Sequence, residues 1–401
     1  MSISKRVVKT VNATEMRGIN RSAILELIRN NSPISRSQIA SELQVSLPTV
    51  IRIVDDLIAE NLVRPTGQKE WSGGRKRSLV EFNGSQHLVL GIDLGGTKIF
   101  GAVADLSGEI KYETSFLHRQ SQAEESFTVL CEVIDNLIGY ANGTGLPLRG
   151  IAIGVPGVVD PSVGIVRLAP SLDWMDFPLR QRLGERYTAP VIFENDVNLA
   201  ALGELWFGAE PDVQDLVLMA VGTGIGAGIV INGMVYPGAH FMAGEVGYLI
   251  PDRQCLDKQF PGFGALELQA SGTGIAERAR RALQGQVPPE ALEALTSEDV
   301  FNAARRKEPW AETILQDTID YLAQAIAAIS LILDPHVIIL GGGVARSADL
   351  LIAPIQARLQ EVIPLVPQIR ASTLGYRAAV YGGIVQLLRF TSSFYYLQKF
   401  G

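Results

Sequence analysis

A carboxylate carried to the end of an apolar run, two glycines and two donors stand together in Gly91-Ile92-Asp93-Leu94-Gly95-Gly96-Thr97-Lys98. Gly95 and Gly96 let the main chain approach an anion closely, and Thr97 and Lys98 supply donors, so the segment suits a phosphate. A tight hairpin turn is the plainer reading of the same residues. Two more glycine-rich runs follow apolar segments, Val221-Gly222-Thr223-Gly224-Ile225-Gly226-Ala227-Gly228 and Leu340-Gly341-Gly342-Gly343-Val344. Different chemistry sits near the amino terminus, where Arg75-Lys76-Arg77 follows Gly73-Gly74. Three cations on a flexible approach suit phosphate or minor-groove contact with DNA, against the bland alternative of a solvated basic surface.

The elements around the basic cluster are helical. From Ile19 to about Val63 apolar residues recur at helical spacing in three bursts, broken by Asn30-Asn31-Ser32-Pro33 and Gln44-Val45-Ser46. Ser35 caps a helix that begins with Arg36. Ser46 caps the next, with Pro48 in its first turn, where a missing N–H costs nothing. Val50, Ile53, Val54, Leu57 and Ile58 form that helix's buried face. Leu47, Thr49 and Arg52 are left at its exposed amino-terminal end, the part of a recognition helix that meets base edges. Arg52 is the direct reader, because its planar fork can bond two acceptors of guanine. Arg36, Ser46, Leu47, Thr49, Arg52, Arg75, Lys76 and Arg77 make up the expected DNA-binding set. The turn position often filled by glycine is Gln44. A polar stretch from Arg64 to Gly74 and the alternating run Ser78 to Phe82 read as a β-hairpin wing, followed by a linker at Asn83-Gly84-Ser85.

Beyond the linker, apolar strands end in glycine and are followed by polar or amphipathic segments. Leu88 to Ile92, Ile99 to Ala104, Ile151 to Val155, Val191 to Phe193, Leu216 to Val221, Ile229 to Ile231 and Val337 to Leu340 are the clearest. This is α/β construction, and strands ending in glycine-rich turns are where such folds bind phosphates and small ligands. No short-period repeat is visible. At 401 residues the chain holds two or three cores, and 47% hydrophobic content is ample to fill them.

The formal charge of −7 hides an asymmetry. Residues 1–80 carry 13 Lys and Arg against 7 Asp and Glu, and the remainder 22 against 35. A basic head on an acidic body can bind a polyanion that the body repels. The two cysteines, Cys131 and Cys255, exclude a disulfide framework and fit a reducing cytoplasm. No signal-peptide core is present, and the longest apolar stretch, near Ala325 to Leu333, is too short to cross a bilayer. No membrane role is expected.

The segment around Asp93 resembles the first phosphate loop of the actin-like ATPase and sugar kinase superfamily. The run at Gly222-Thr223-Gly224 resembles its second phosphate loop, and that at Gly342-Gly343 its adenosine loop. Between the first two, Glu194-Asn195-Asp196-Val197-Asn198, with Gly154-Val155-Pro156-Gly157 and Ala169-Pro170-Ser171-Leu172-Asp173-Trp174, is similar to the ROK family of repressors, open reading frames and kinases. The resemblance covers essentially the whole chain, including the helix-turn-helix that the family's regulators carry. It implies a winged helix-turn-helix followed by a two-lobed, ribonuclease H-like sugar-kinase fold. Residues 1–82 would be the head, 83–87 a linker, 88–195 with about 378–401 one lobe, and 196–377 the other. Asp93, Gly95, Gly96, Thr97, Lys98, Gly222, Thr223, Gly224, Gly342 and Gly343 would then be nucleotide or phosphate positions. Asp196 matches the general base of the family's kinases, and Asn195, Asp196, Glu245 and Glu267 its sugar-contacting positions. Glu245 and Glu267 also read as ordinary surface or capping carboxylates.

The family's zinc loop places a His three residues after the Glu245 position, then three Cys before the Glu267 position. In register these are Tyr248, Lys258, Phe260 and Ala265, none of which offers the thiolate or imidazole that zinc requires. No structural zinc is expected. Tyr248 would offer the sugar one hydroxyl and a ring face, and Phe260 and Phe263 would pack the loop. The resemblance implies a sugar-responsive repressor that binds double-stranded operator DNA and a small sugar or sugar phosphate, as a homodimer or dimer of dimers, with no required cofactor. The competing expectation is an ATP-dependent sugar kinase using Mg·ATP, alone or alongside DNA binding.

Overall fold

The computed structural model describes residues 13–72, 75–117, 123–208, 212–256, 258–260 and 264–391. The head has three helices, α1 (Ala13–Asn31), α2 (Arg36–Glu42) and α3 (Leu47–Ala59). Ser35 caps α2 in a capping box with Gln38, satisfying two main-chain donors reciprocally. Gln44 takes the left-handed turn between α2 and α3, at φ 53, where glycine would be unstrained. Ser46 precedes α3, but its hydroxyl meets Thr49 Oγ1 at 2.8 Å and makes no main-chain cap. Val50, Ile53, Val54 and Leu57 are buried on one face of α3, each worth about 1.5–3 kcal/mol of transfer free energy. Ile58 of the expected buried face is only partly buried.

A short strand β1 (Ile34–Ser35) joins the hairpin of β2 (Val63–Ser72) and β3 (Arg75–Phe82) in the order β1-β3-β2. The stretch from Arg64 to Ser72 is thus strand. Its polar composition suits a two-stranded wing, and a register shift between Pro65 and Lys69 absorbs Pro65 and Gly67. Gly73 and Gly74 lie outside the described residues.

The body contains two five-stranded sheets of identical topology. The first has β4 (Leu88–Leu94), β5 (Lys98–Asp105), β6 (Ile110–Leu117) and β7 (Leu148–Val155). A small antiparallel sheet of β8 (Val158–Asp160), β9 (Ile165–Ala169) and β10 (Trp174–Phe177) follows, then β11 (Val191–Asn195) completes the first sheet. The second has β12 (Leu216–Val221), β13 (Ile225–Ile231), β14 (Met234–Val235), β15 (Val337–Gly341) and β16 (Gln368–Ala371). In each, the first three strands form an antiparallel meander, and the fourth and fifth lie parallel on the other side of the first: β6-β5-β4-β7-β11 and β14-β13-β12-β15-β16. Each sheet has its own apolar core.

Two helices run between the sheets, Asp196–Gly203 and Ala378–Thr391, and cross at bare main chain. A Cβ on Gly382 would stand 1.7 Å from Leu199 O, and one on Gly203 2.1 Å from Ala378 O. The head joins this body through one continuous core in which Ile24, Ile28, Val54 and Leu57 are contiguous with Val89, Ala152 and Leu387. Residues 83–87 are packed into that joint, with Gly84–Gln86 in a 3-10 turn between buried Asn83 and His87. No helix of the described residues is long and apolar enough to cross a membrane.

Candidate functional site

The glycine-rich runs become the turns after strands β4, β12 and β15, and two of them meet. A Cβ on Gly222 would have the Gly343 nitrogen as its nearest neighbour, at 4.0 Å, while one on Gly343 would meet open space. Gly342 sits at φ 79 with its missing Cβ directed at Val221 O, 2.4 Å away, so only glycine fits. In the first turn, Gly95 and Gly96 are required by Lys98 O and Ser171 Cβ, each 2.7 Å from where a Cβ would stand. Ser171 is therefore part of this turn, a role its sequence does not advertise. Thr97 and Lys98 stand exposed at its tip, and Thr223 is exposed as well. Exposed donors beside open glycine main chain fit the phosphates of a nucleotide.

Strand pairing aligns Asp93 with Gly154 and Gly154 with Glu194, which brings Asp196 to the cleft beside Asp93. Burial raises both aspartyl pKa values above the usual carboxylate range. Asp196 adds to the rise at Asp93, while the Val197 N–H donating to Asp196 Oδ1 at 2.9 Å partly offsets its own. Asn195 caps the helix that starts at Asp196: its Oδ1 accepts from Asn198 N at 2.9 Å and its Nδ2 donates to Gly157 O at 3.0 Å. Beneath it, buried Glu194 accepts from Asn195 N and Asn198 Nδ2.

Glu245 lies on the same cleft, its pKa pushed up to about 7 by burial, then by Asp196 and Glu267. Glu267 is anchored. Its Oε1 accepts from Ile225 N at 2.8 Å and its Oε2 from Gly264 N at 2.7 Å, tying the segment around the last zinc-loop position to the glycine-rich turn after β12. Gly224 and Gly247 make room for it, since a Cβ would come within 2.3 Å of Glu267 Oε1 and 2.5 Å of Glu267 Cγ respectively. Tyr248 is half exposed, and burial raises its pKa, with Glu245 and Glu267 adding. Asp93, Asp196, Glu245, Glu267 and Tyr248 thus share one electrostatic neighbourhood between the two sheets. Carboxylates there can accept from sugar hydroxyls, and a carboxyl of raised pKa can take a proton.

Of the zinc-loop positions, Ala265 is buried, Phe260 partly buried and Lys258 exposed, and Cys255 is a free thiol. These donors do not fit zinc, and among the described residues no group of three or more His, Cys, Asp or Glu is arranged to hold a metal ion. Phe263 lies outside the described residues.

On the head, Arg52 is exposed on α3, as is Leu47, whereas Arg36 pairs with Asp55 at 2.7 Å. Arg75, Lys76 and Arg77 lie on β3, opposite Ser72, Trp71 and Glu70, and their side chains lie outside the described residues.

Two contacts joining head to body were not legible in the sequence. His87 Nδ1 accepts from Arg149 Nε at 3.1 Å while its Nε2 faces Asn61 O at 3.0 Å, and Arg149 also reaches Glu60 O. On the other side, Arg29 of α1 lies over the rings of Trp206 and Phe207. These rings belong to Glu204–Gly208, the turn into which helix Asp196–Gly203 runs.

A family model described as ROK family matches residues 89–385, and one described as winged helix-turn-helix DNA-binding matches 19–64. The chain is 29% identical over 397 residues to a xylose repressor of Caldicellulosiruptor bescii, covering 96% of this chain and 98% of that one. It is 35% identical over 315 residues to a glucokinase of Halalkalibacterium halodurans, covering 75% of this chain and 94% of that one. A solved structure described as a ROK family transcriptional regulator, homolog of the E. coli MLC protein, superimposes with a TM-score of 0.82 at 25% identity, covering 94% and 97%.

Proposed function

This chain belongs to the ROK family, and we infer that it is a sugar-responsive, DNA-binding regulator that represses carbohydrate-utilisation genes. The observation that carries this reading is likeness over nearly the full length, head included, to a xylose repressor, where the glucokinase match spans only 75% of the chain. The head (1–82) grips double-stranded operator DNA through α3 and the wing. The body, with lobes at 88–195 plus 378–401 and at 196–377, takes a small sugar or sugar phosphate between them. Asn195, Asp196, Glu245, Tyr248 and Glu267 are the proposed sugar contacts. Paired recognition helices on a two-fold site require a dimer.

Switching needs a ligand that prefers one disposition of the head. Helix Asp196–Gly203 supplies a route: Asp196 begins it at the sugar site, and the turn that ends it stacks under Arg29 of α1. Fully buried Glu204 accepts from Ser372 Oγ, Thr373 Oγ1 and Leu374 N, pinning that turn to the segment before helix Ala378–Thr391. A gel-shift assay with palindromic fragments from the chain's own operon, with and without a panel of sugars, tests the reading. Retardation released or strengthened by one sugar supports it; no binding to any such fragment overturns it.

A second reading, phosphoryl transfer from ATP to a sugar hydroxyl, is favoured by one observation, Asp196 of raised pKa beside Asp93, two residues before the first glycine turn. Gly95, Gly96, Thr97, Lys98, Gly222, Thr223, Gly224, Gly342 and Gly343 would hold Mg·ATP, which supplies the phosphoryl group. Asp196 would take the hydroxyl proton. ADP release over a hexose and pentose panel, abolished by Asp196→Asn, distinguishes an enzyme from a sensor.

A further inference from the structure

The outward face of α3 carries aliphatic side chains that no packing requirement explains. Val50, Ile53, Val54 and Leu57 satisfy the inward face and are at most 1% exposed. One turn apart along the edge of that face, Leu47 and Ile51 are 42% and 41% exposed. Leu47 belongs to the expected DNA-binding set, whereas Ile51 belongs neither to that set nor to the expected buried face of the helix.

The polar groups nearby are mostly committed elsewhere. The Thr49 hydroxyl meets Ser46 Oγ at 2.8 Å, and Asp55, the next residue on the stripe, is held at 2.7 Å by Arg36 of α2. What α3 presents outward is therefore an aliphatic pair, with Pro48 and Arg52 beside it. The occupant of this face is indicated by the winged helix-turn-helix match over residues 19–64 and by the head's 13 basic against 7 acidic residues up to residue 80. That excess complements a phosphate backbone, and three of the cations, Arg75, Lys76 and Arg77, lie on β3 of the wing, whose partner strand β2 packs against α3.

In the major groove, bases offer one aliphatic group, the C5 methyl of thymine; every other feature is a hydrogen-bond donor or acceptor that Leu and Ile cannot pair. Burying those acceptors against a side chain with nothing to offer costs affinity. We propose that Leu47 and Ile51 read thymine methyl groups, so that the operator half-site under the start of α3 is a short A·T tract, flanked by the base that Arg52 bonds. This rests on the DNA-binding reading of the head. The two side chains lie about 6 Å apart along the helix, enough to touch methyls within two or three consecutive base pairs.

The test uses the full chain. Bound duplexes are first selected from a random library, and each thymine of the selected half-site is then replaced singly by deoxyuridine, which removes the methyl and keeps the pairing edge. Expected is a loss of roughly threefold to fivefold in affinity at one or two adjacent thymines, the value of one buried methyl. In Ile51→Ala or Leu47→Ala one of those positions becomes insensitive to the replacement while the other still responds. Unchanged melting temperatures show the variants folded, as expected for exposed side chains. A selected half-site of G·C pairs, or uracil tolerated at every position, overturns the proposal while leaving DNA binding intact. Uracil tolerance with dimerisation weakened in Ile51→Ala overturns it in favour of a contact between copies. No enrichment of any duplex removes the DNA-binding reading itself.

Discussion

The Arg29 guanidinium carbon lies 4.5 Å from the centre of the Trp206 ring, so the first helix of the head rests on the turn that ends the helix begun by Asp196. A cation over an indole face is worth about 0.5–1 kcal/mol when exposed and about 2 when desolvated. If this contact carries the response, Arg29→Ala and Trp206→Ala retain operator binding and sugar binding separately. The ratio of operator affinities with and without sugar then shrinks by roughly twofold to thirtyfold, the range those energies allow. Both affinities measured by fluorescence anisotropy decide it. An unchanged ratio in both variants removes this turn from the route.

The opposite side of the head–body joint is sensitive to pH. His87 has its pKa lowered, first by burial and also by Arg149, whose Nε–H donates to Nδ1. That bond assigns the proton of the neutral ring to Nε2, which donates to Asn61 O. Protonating Nδ1 sets a cation against Arg149. A histidine lowered on folding contributes stability that is full above its unfolded value, about 6.5, and is lost as pH falls below it toward the folded value. Thermal melts from pH 8 to 5 therefore fall more steeply for the native chain than for His87→Gln.

Glu245 has the opposite sign. Its folded pKa of about 7 lies above the ordinary glutamate value of 4.5, so the ionised form is the strained one. The protein is most stable with Glu245 protonated, and that stability is lost as pH rises through about 7. Glu245→Gln should match the native melting temperature below pH 4.5 and exceed it above pH 7, while binding sugar more weakly. Parallel melts and sugar titrations check both halves, and equal melting at pH 8 contradicts the first.

Glu267 accepts two main-chain N–H groups on its two oxygens, and an amide can accept on only one. Glu267→Gln turns an NH2 toward either Ile225 N or Gly264 N. The expected cost is about 1–3 kcal/mol of stability, with sugar affinity falling as the second phosphate turn loses its tie. Urea unfolding measures the first and calorimetric titration the second.

Local grammar was readable where a short stretch decides its own fate. The Ser35 cap, the Pro48 helix start and the seven clearest strands stand within a few residues of expectation, and Gln44 occupies the turn position assigned to it. The twofold sheet topology was invisible because it repeats connections and not residues. Residues 83–87 read as a linker from Asn83-Gly84-Ser85, yet Gly84 is required because a Cβ would stand 2.5 Å from the Phe82 ring. The His87–Arg149 and Arg29–Trp206 contacts join positions far apart in sequence, where no periodicity or spacing points from one partner to the other.

The crossing of the two interlobe helices gives the most direct test of how the body moves. Gly382 approaches Leu199 O and Gly203 approaches Ala378 O so closely that neither tolerates a Cβ at the present separation. Both obstacles are main chain, which cannot step aside as a flexible side chain can. Gly382→Ala must therefore push the helices apart, at the cost of about 1–3 kcal/mol typical of overpacking. The displacement acts on helix Asp196–Gly203, so Asp196 moves relative to its neighbour Asp93 on strand β4, and sugar affinity falls together with stability. Gly143→Ala is the control: it lies in a helix with nothing within 4 Å of its would-be Cβ. There alanine should stabilise by about 0.5–1 kcal/mol through the unfolded chain and leave sugar binding unchanged. Native sugar affinity in a Gly382→Ala protein that still folds would mean that the crossing holds the lobes together without setting the geometry of the cleft.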